Sequence, residues 1–226
     1  MRKTKIVCTV GPATDNDDIL REMMLSGMNV ARFNFSHGDY AVHEKRYNQL
    51  CRIRDELKLP IAALLDTKGP EIRLGKFADS TPVTLNDGDS FVLTTEERIC
   101  DKEIACISFK GLPGDVRKGT VILINDGAVE LRVESVKGGE IYTTVVHGGE
   151  ISDNKGINVP GVELSMPYLS ERDMNDLEFG AKIGFDFIAA SFVRRAADVQ
   201  AVREVLDRFG GQEIRIIAKI ENQEGV

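Results

Sequence analysis

Two regions that alternate apolar runs with helical patterns flank a long stretch with no helical pattern, and this division constrains the fold more than any single motif. Ile6 to Val10 is a β-branched run closed by Gly11-Pro12, the pattern of a strand. A helix capped by Thr14 or Asp15 is predicted next, with Asp17 and Asp18 in its first turn, Ile19, Leu20, Met23 and Met24 on its apolar face, and Ser26-Gly27 at its end. Met28 to Phe33 predicts a second strand and Tyr40 to Leu57 a second helix. Ile61 to Leu65 is an apolar run short enough to be a strand buried on both faces. Strand and helix in turn, joined by short loops, predict a parallel sheet.

From about Leu74 to Gly156 the periodicity switches. Short alternating runs are punctuated by Asn86-Asp87-Gly88-Asp89, Asn125-Asp126-Gly127 and Lys137-Gly138-Gly139-Glu140, which are hairpin signals. A small antiparallel β module inserted into an α/β domain is expected, with Asn154 to Gly161 as the returning hinge. The first texture resumes at Ser170-Glu171-Arg172-Asp173, which has capping-box form with a short Asp as the return partner. The helix it starts is stopped by Gly184; the run Phe185 to Ala190, a helix over Ala196 to Phe209 and the run Ile214 to Ile220 follow. About five strands stand outside the insertion. An open doubly wound sheet could stop there, whereas a closed (β/α)8 barrel needs about eight strands and ~250 residues. The last strand also lacks its helix, and we read the chain as truncated.

Composition narrows the function classes. The 226 residues carry a net charge of −7, which disfavours non-specific binding to nucleic acid or an anionic membrane, although a few aimed cations can still bind an anion locally. The basic start Arg2-Lys3-Thr4-Lys5 precedes an apolar run too short for a signal peptide, and no run approaches a transmembrane length. Cys8, Cys51, Cys100 and Cys106 form no C-x-x-C pair, so small buried or half-buried thiols in a reducing, cytoplasmic setting are expected.

Four presumed strand ends are polar. The second carries Arg32, Asn34, Ser36 and His37; the third Asp66, Thr67, Lys68 and, past Gly69-Pro70, Arg73; the fourth Ser191 and Arg194; the fifth Lys219 and Glu221. Each alone is explained by solvent or an ion pair, but parallel strands put these ends on one side. Arg32, Asn34 and Ser36, spaced by two, share a face, as do Lys219 and Glu221. Arg32, Arg73 and Lys219 could surround a phosphoryl group. Glu221 suits Mg2+ or Mn2+, and Asn34, Ser36, Asp66 and Thr67 offer clustered oxygens for a second cation. No P-loop, zinc-protease or Rossmann fingerprint is present, and His37 lacks an obvious triad partner.

CTVGPAT (Cys8 to Thr14), NVARFNFSHG (Asn29 to Gly38), LLDTKGPEIR (Leu64 to Arg73), NKGINVPG (Asn154 to Gly161), SFVR (Ser191 to Arg194) and IIAKIEN (Ile216 to Asn222) together closely resemble the pyruvate kinase family, in order over essentially the whole chain. The resemblance implies a (β/α)8 barrel, of which about five strands are present, with a small antiparallel β-barrel inserted after the third strand. Residues 1–73 would begin the barrel, 74–157 form the inserted lid, and 158–226 continue the barrel. It implies transfer of phosphate from phosphoenolpyruvate to ADP. Arg32 and Arg73 would contact the phosphoryl group and Lys219 would neutralise transition-state charge. Glu221 would bind Mg2+ or Mn2+, and Asn34, Ser36, Asp66 and the Thr67 main chain would hold K+. His37 and Lys155 would reach nucleotide phosphates; Ser191, with Arg32, Asn34 and Lys219, joins the substrate-binding set. Glu71 resembles the K+-dependent members.

Full-length members are expected to be homotetramers. A metal-binding Asp, a Thr tied to protonation and a C-terminal domain are not in this chain, so the isolated chain is expected to fold poorly, to aggregate through the edge strand Ile214 to Ile220, and to be nearly inactive. A barrel lyase or aldolase acting on pyruvate or phosphoenolpyruvate, and a non-catalytic fragment that associates with another chain, are the alternatives; the inserted β module and Lys155 argue for a nucleotide and against the first, which ADP binding tests, and complementation tests the second.

Overall fold

A computed structural model describes residues 3–226, and the chain divides into two compact units. In order, the elements are β1 (Val7–Thr9), α1 (Asp17–Leu25), β2 (Val30–Asn34), α2 (Tyr40–Leu57), β3 (Ala62–Asp66), β4 (Ile72–Arg73), β5 (Val83–Leu85), β6 (Ser90–Thr94), β7 (Ile104–Cys106), α3 (Leu112–Asp115), β8 (Val121–Ile124), β9 (Val129–Lys137), β10 (Glu140–His147), β11 (Gly149–Ile151), β12 (Gly156–Asn158), α4 (Glu171–Ile183), β13 (Phe187–Ala190), α5 (Ala196–Arg208) and β14 (Arg215–Ala218).

The first unit comprises the residues up to Gly69 and Tyr168–Glu221. Its sheet runs β1-β2-β3-β13-β14, with every pairing parallel. The strands lie in chain order with no reversal. A doubly wound sheet reverses at a switch point, so the order is that of a barrel, and this sheet is a partial one. Period-two alternation divides its faces. Ala31, Phe33, Ala63, Leu65, Ile188 and Ala190 point into the helix-covered core with Leu20, Met24, Leu50, Leu177 and Val202. The other face therefore takes Arg32, Asn34, Asp66 and Lys219.

The helices start and stop where side-chain chemistry allows. Ser170 Oγ accepts from Asp173 N (3.1 Å) while Asp173 Oδ2 accepts from Ser170 N (3.0 Å), the reciprocal box expected. Gly184 closes α4 in the left-handed region at φ 92°. For α1 the cap is Asn16, not Thr14 or Asp15: its Oδ1 accepts from Asp18 N (2.8 Å), because Thr14 is engaged in its own turn, donating to Gly11 O (2.9 Å).

The second unit comprises Pro70–Pro167 with Asn222–Val226. Seven strands follow the order β4-β12-β8-β9-β10-β6-β7 around a core containing Phe91, Leu93, Ile122, Leu131, Val133 and Ile141. The sheet closes on itself: Leu74 bridges Ile107, Ser108 N donates to Arg73 O (2.9 Å) and Gly75 N donates to Cys106 O (2.8 Å). Closure removes the two edges that β4 and β7 would otherwise present. The turns at Asn125-Asp126-Gly127 and Gly138-Gly139 make the expected β8–β9 and β9–β10 hairpins. The turn Asn86 to Asp89 does not make one. It is held locally, with Asp89 Oδ2 accepting from Asn86 N (2.8 Å), while β5 pairs β11 and β6 pairs β10 and β7. The units meet in sequence at Gly69/Pro70, Pro167/Tyr168 and Glu221/Asn222. Arg73 falls in the second unit because β4 pairs β12, and Val162, Leu164 and Met166 pack on the second core.

Candidate active site

Asp66 is the centre of the polar face of the first unit. It ends β3 with 3% of its surface exposed, and such a carboxylate is costly to bury unless paired. Both oxygens are paired. Oδ2 accepts from Arg32 Nε at 2.6 Å, and Oδ1 accepts from Lys219 Nζ at 2.8 Å. The register explains the convergence: Asn34 lies opposite Asp66, and Asp66 lies opposite Ala189, two residues before Ser191. Lys219 Nζ also donates to Ser191 Oγ (3.0 Å), which donates to Thr67 O (2.5 Å). Glu221 stands beside Lys219, Oε1 to Nζ 3.4 Å, while its Oε2 accepts from Phe192 N (3.0 Å). Two cations thus face one buried carboxylate, with a second carboxylate at the rim.

The turn after β2 carries the other candidates. Asn34 Oδ1 accepts from Ser36 N (3.1 Å), and Phe35 N donates to Asp66 O (3.0 Å), tying the turn to the end of β3. Arg172 donates to Phe35 O (2.8 Å). His43 Nε2 donates to His37 O (2.9 Å), and its ring stacks on Phe35 with centroids 4.0 Å apart. Burial pushes the His43 pKa down, disfavouring the charged ring, and its Nδ1 is buried and unpartnered. Tyr40 donates to Asp176 Oδ1 (2.7 Å), and burial pushes the Asp176 carboxyl up. His37 itself is exposed.

Gly69 is required by its surroundings. Its φ is +71°, and a Cβ there would stand 2.9 Å from Ser191 Cβ and Ser191 O. Its N–H donates to Asp173 Oδ1 (3.1 Å), so the cap of α4 also fixes the turn after Asp66.

The structure brings Arg32, Asn34, Ser36, Asp66, Thr67, Ser191, Lys219 and Glu221 to the C-terminal ends of the strands of the first unit. Arg73 and Lys155 lie in the second unit. There the Arg73 guanidinium pairs with both oxygens of Glu71 (2.9 and 3.0 Å) and donates to Asn154 O (2.7 Å), and Lys155 O accepts from Leu74 N (2.9 Å). Sequence reasoning missed Thr9, whose Oγ1 accepts from Arg32 NH1 at 2.8 Å; its place opposite Arg32 at the end of β1 was the available signal. It also missed Asp198, which pairs with buried Arg194 (3.5 Å). A cleft of about 450 Å3 opens at the opposite, N-terminal ends of the strands, among Ala62, Asp186, Phe187, Glu213 and Arg215. None of the expected site residues lines it.

The family model "Pyruvate kinase, barrel domain" matches residues 1–226. The whole chain is 46% identical to the pyruvate kinase of Clostridium perfringens, covering 48% of that protein. It is 45% identical to that of Clostridium acetobutylicum, covering 48%, and 46% identical to that of Geobacillus stearothermophilus, covering 38%. The chain therefore spans less than half the length of these curated relatives. With its family matched from end to end, the chain belongs to the pyruvate kinase barrel-domain family.

Proposed function

We propose that this chain supplies the phosphoenolpyruvate-binding part of a pyruvate kinase, which transfers a phosphoryl group from phosphoenolpyruvate to ADP to give pyruvate and ATP. The observation that carries the reading is the ion network of Arg32, Asp66 and Lys219, with Glu221 3.4 Å from Lys219. Phosphoryl transfer asks a protein chiefly for positioning and for charge neutralisation. Arg32 offers a planar fork for phosphoryl oxygens. Lys219, anchored by Asp66 and Ser191, offers a point charge to the phosphoryl and enolate oxygens. The chain as a whole carries −7, so an anionic substrate depends on the aimed donors of Arg32 and Lys219 rather than on the overall field. Arg73 and Lys155, in the second unit, are proposed as its phosphate-contacting cations, and His37 as a nucleotide contact. The β-rich segment 74–157 is proposed as the nucleotide-side lid.

The donor set fits the cations the family implies. Asn34 Oδ1, Ser36 Oγ, the Asp66 carboxylate and Thr67 O are hard oxygens at two neighbouring strand ends, suited to K+ and unsuited to a soft metal. No group of three His, Cys, Asp or Glu side chains able to hold an ion exists among the described residues. Glu221 is proposed as one carboxylate ligand of Mg2+ or Mn2+, an ion that keeps waters and substrate oxygens in its shell. When bound, such an ion supplies positive charge at the phosphoryl oxygens.

The test is calorimetric titration of the chain with phosphoenolpyruvate, with and without Mg2+. Saturable binding that needs Mg2+ and weakens at least about tenfold in Lys219→Met, the loss of one charge-assisted contact, supports the assignment. Equal binding by the variant overturns it. Among the described residues no helix is long and apolar enough to cross a membrane.

A further inference from the structure

The seam that closes the second unit carries two thiols. Cys106 ends β7, and Cys100 sits on the segment that enters it, bridged in parallel to Phe77. Their sulfurs are 3.7 Å apart. Both turn toward the same backbone carbonyl, Arg98 O, 3.3 Å from Cys106 Sγ and 4.0 Å from Cys100 Sγ. Cys106 N donates to Cys100 Sγ (3.3 Å). Across the seam, Gly75 leaves the space the sulfurs fill: a Cβ there would collide with Cys106 Sγ and stand 3.2 Å from Cys100 Sγ. A disulfide bond needs about 2.0 Å between sulfurs, so a modest rotation of the two side chains completes the approach. No third ligand joins the two sulfurs in a metal-holding group among the described residues, which favours covalent pairing.

We propose that Cys100 and Cys106 are a dithiol–disulfide modification site that locks the seam of the second unit under mild oxidation. The oxidant class is a peroxide. Cys100 is buried and its thiol is pushed up to about 11 by that burial, whereas Cys106 is half-buried; Cys106 meets the oxidant first. Its thiolate attacks a peroxide oxygen, the O–O bond breaks, hydroxide leaves and a sulfenic acid remains. Cys100 then gives up its proton and attacks the Cys106 sulfur; the S–O bond breaks and water leaves. Two thiols and one hydrogen peroxide become one disulfide and two waters, and a dithiol reductant reverses the change. Both cysteines stand on the β7 side of the seam and grip the segment that follows β4: Cys100 N donates to Lys76 O (2.8 Å) and Cys106 O accepts from Gly75 N (2.8 Å), so the bond ties together the two points that hold the Gly75–Lys76 backbone.

The sequence makes the test direct. Lys102 lies between the two cysteines, so trypsin separates them into peptides 99–102 and 103–110, which stay linked only if the disulfide has formed. The reduced chain is treated with equimolar hydrogen peroxide, then alkylated and digested. The expected result is loss of two of the four thiols, the linked peptides, a monomer on a non-reducing gel, and slower amide exchange at Gly75 and Ser108. Cys106→Ser and Cys100→Ser abolish the link, and in Cys100→Ser a sulfenic-acid probe labels Cys106. Linkage no faster in the folded chain than in urea would show that closeness in sequence alone accounts for it, and would overturn the proposal. So would consumption of Cys8 or Cys51 before the pair, or unchanged exchange at Gly75 and Ser108.

Discussion

Replacing Asp66 by Asn removes one charge with almost no change of volume. In the folded chain it removes the carboxylate that stands 2.6 Å from Arg32 and 2.8 Å from Lys219, leaving Lys219 only Glu221 at 3.4 Å. A fully buried pair broken on one side costs about 3–5 kcal/mol, and an exposed pair contributes about 0.2–1 kcal/mol. The Asp66 side chain is 4% exposed, but its partners are 32% and 29% exposed, so water recovers part of each cation's solvation. An intermediate loss of about 2–3 kcal/mol follows. At a urea slope of about 2 kcal/mol/M, the unfolding midpoint of the first unit falls by about 1–1.5 M. The chain has no Trp, but α1, α2, α4 and α5 all belong to the first unit, so far-UV circular dichroism reports that unit selectively. Lys219→Met combined with Asp66→Asn should lose less than the sum of the two single variants, because the second removes the cation the first left unpaired. A midpoint change under about 0.3 M, or strict additivity in the cycle, would refute the reasoning that one buried carboxylate holds both cations.

Four further outcomes are expected. Gly69→Ala forces a side chain into a φ of +71° and against Ser191, so a loss of about 2–3 kcal/mol is expected in the same urea experiment; a loss under about 0.5 kcal/mol would remove the steric reason for that glycine. Burial lowers the His43 pKa, so its contribution is full above the ordinary histidine value of about 6.5 and is lost as pH falls below it; His43→Phe should flatten that acid limb. Asp176 runs the other way: burial raises its pKa, so its contribution is present below about 3.9 and is lost as pH rises through the raised value, and Asp176→Asn should remove that decline. Finally, in a protein of the relatives' full length, replacing K+ with a large organic cation at constant ionic strength should reduce phosphoryl transfer. Unchanged activity would remove K+ from the proposal.

The parallel sheet was legible because its strands are apolar runs separated by helical periodicity, and the convergence of Arg32, Asp66 and Lys219 followed from period-two spacing at strand ends. What spacing could not give is which groups pair. Arg32 and Asp66 are 34 positions apart and Lys219 is 153 from Asp66, so their contact exists only through the β2–β3–β13–β14 register. The cap of α1 was misread because Thr14, Asp15 and Asn16 are all good caps, and only the turn that engages Thr14 decides among them. The false hairpin at Asn86 to Asp89 has the same origin: its Asp-Gly signal fixes a turn, while the pairing of the flanking strands is set by β10 and β11, more than fifty residues away.

The arrangement around Asp66 also bears on how a phosphorylated substrate could be held. A pair of cations left to themselves would repel and reorient, and a site that must reorganise when charge develops loses much of its electrostatic advantage. Here Asp66 fixes both: Thr9 Oγ1 takes one Arg32 nitrogen, Ser191 Oγ takes a second Lys219 hydrogen bond, and the carboxylate lies between. Each cation keeps about a third of its side chain open to solvent, so donors remain for an incoming anion. On the proposed reading, an anion would meet a pre-set positive pair whose mutual repulsion is already offset by one buried charge. On this account Asp66 serves the chemistry by placing the Arg32 and Lys219 groups rather than by reacting. Asp66→Asn should therefore weaken phosphoenolpyruvate binding in step with its loss of fold stability, whereas Lys219→Met should weaken binding more than it weakens the fold. A stable Asp66→Asn chain with impaired binding would instead assign the carboxylate a direct part at the ligand.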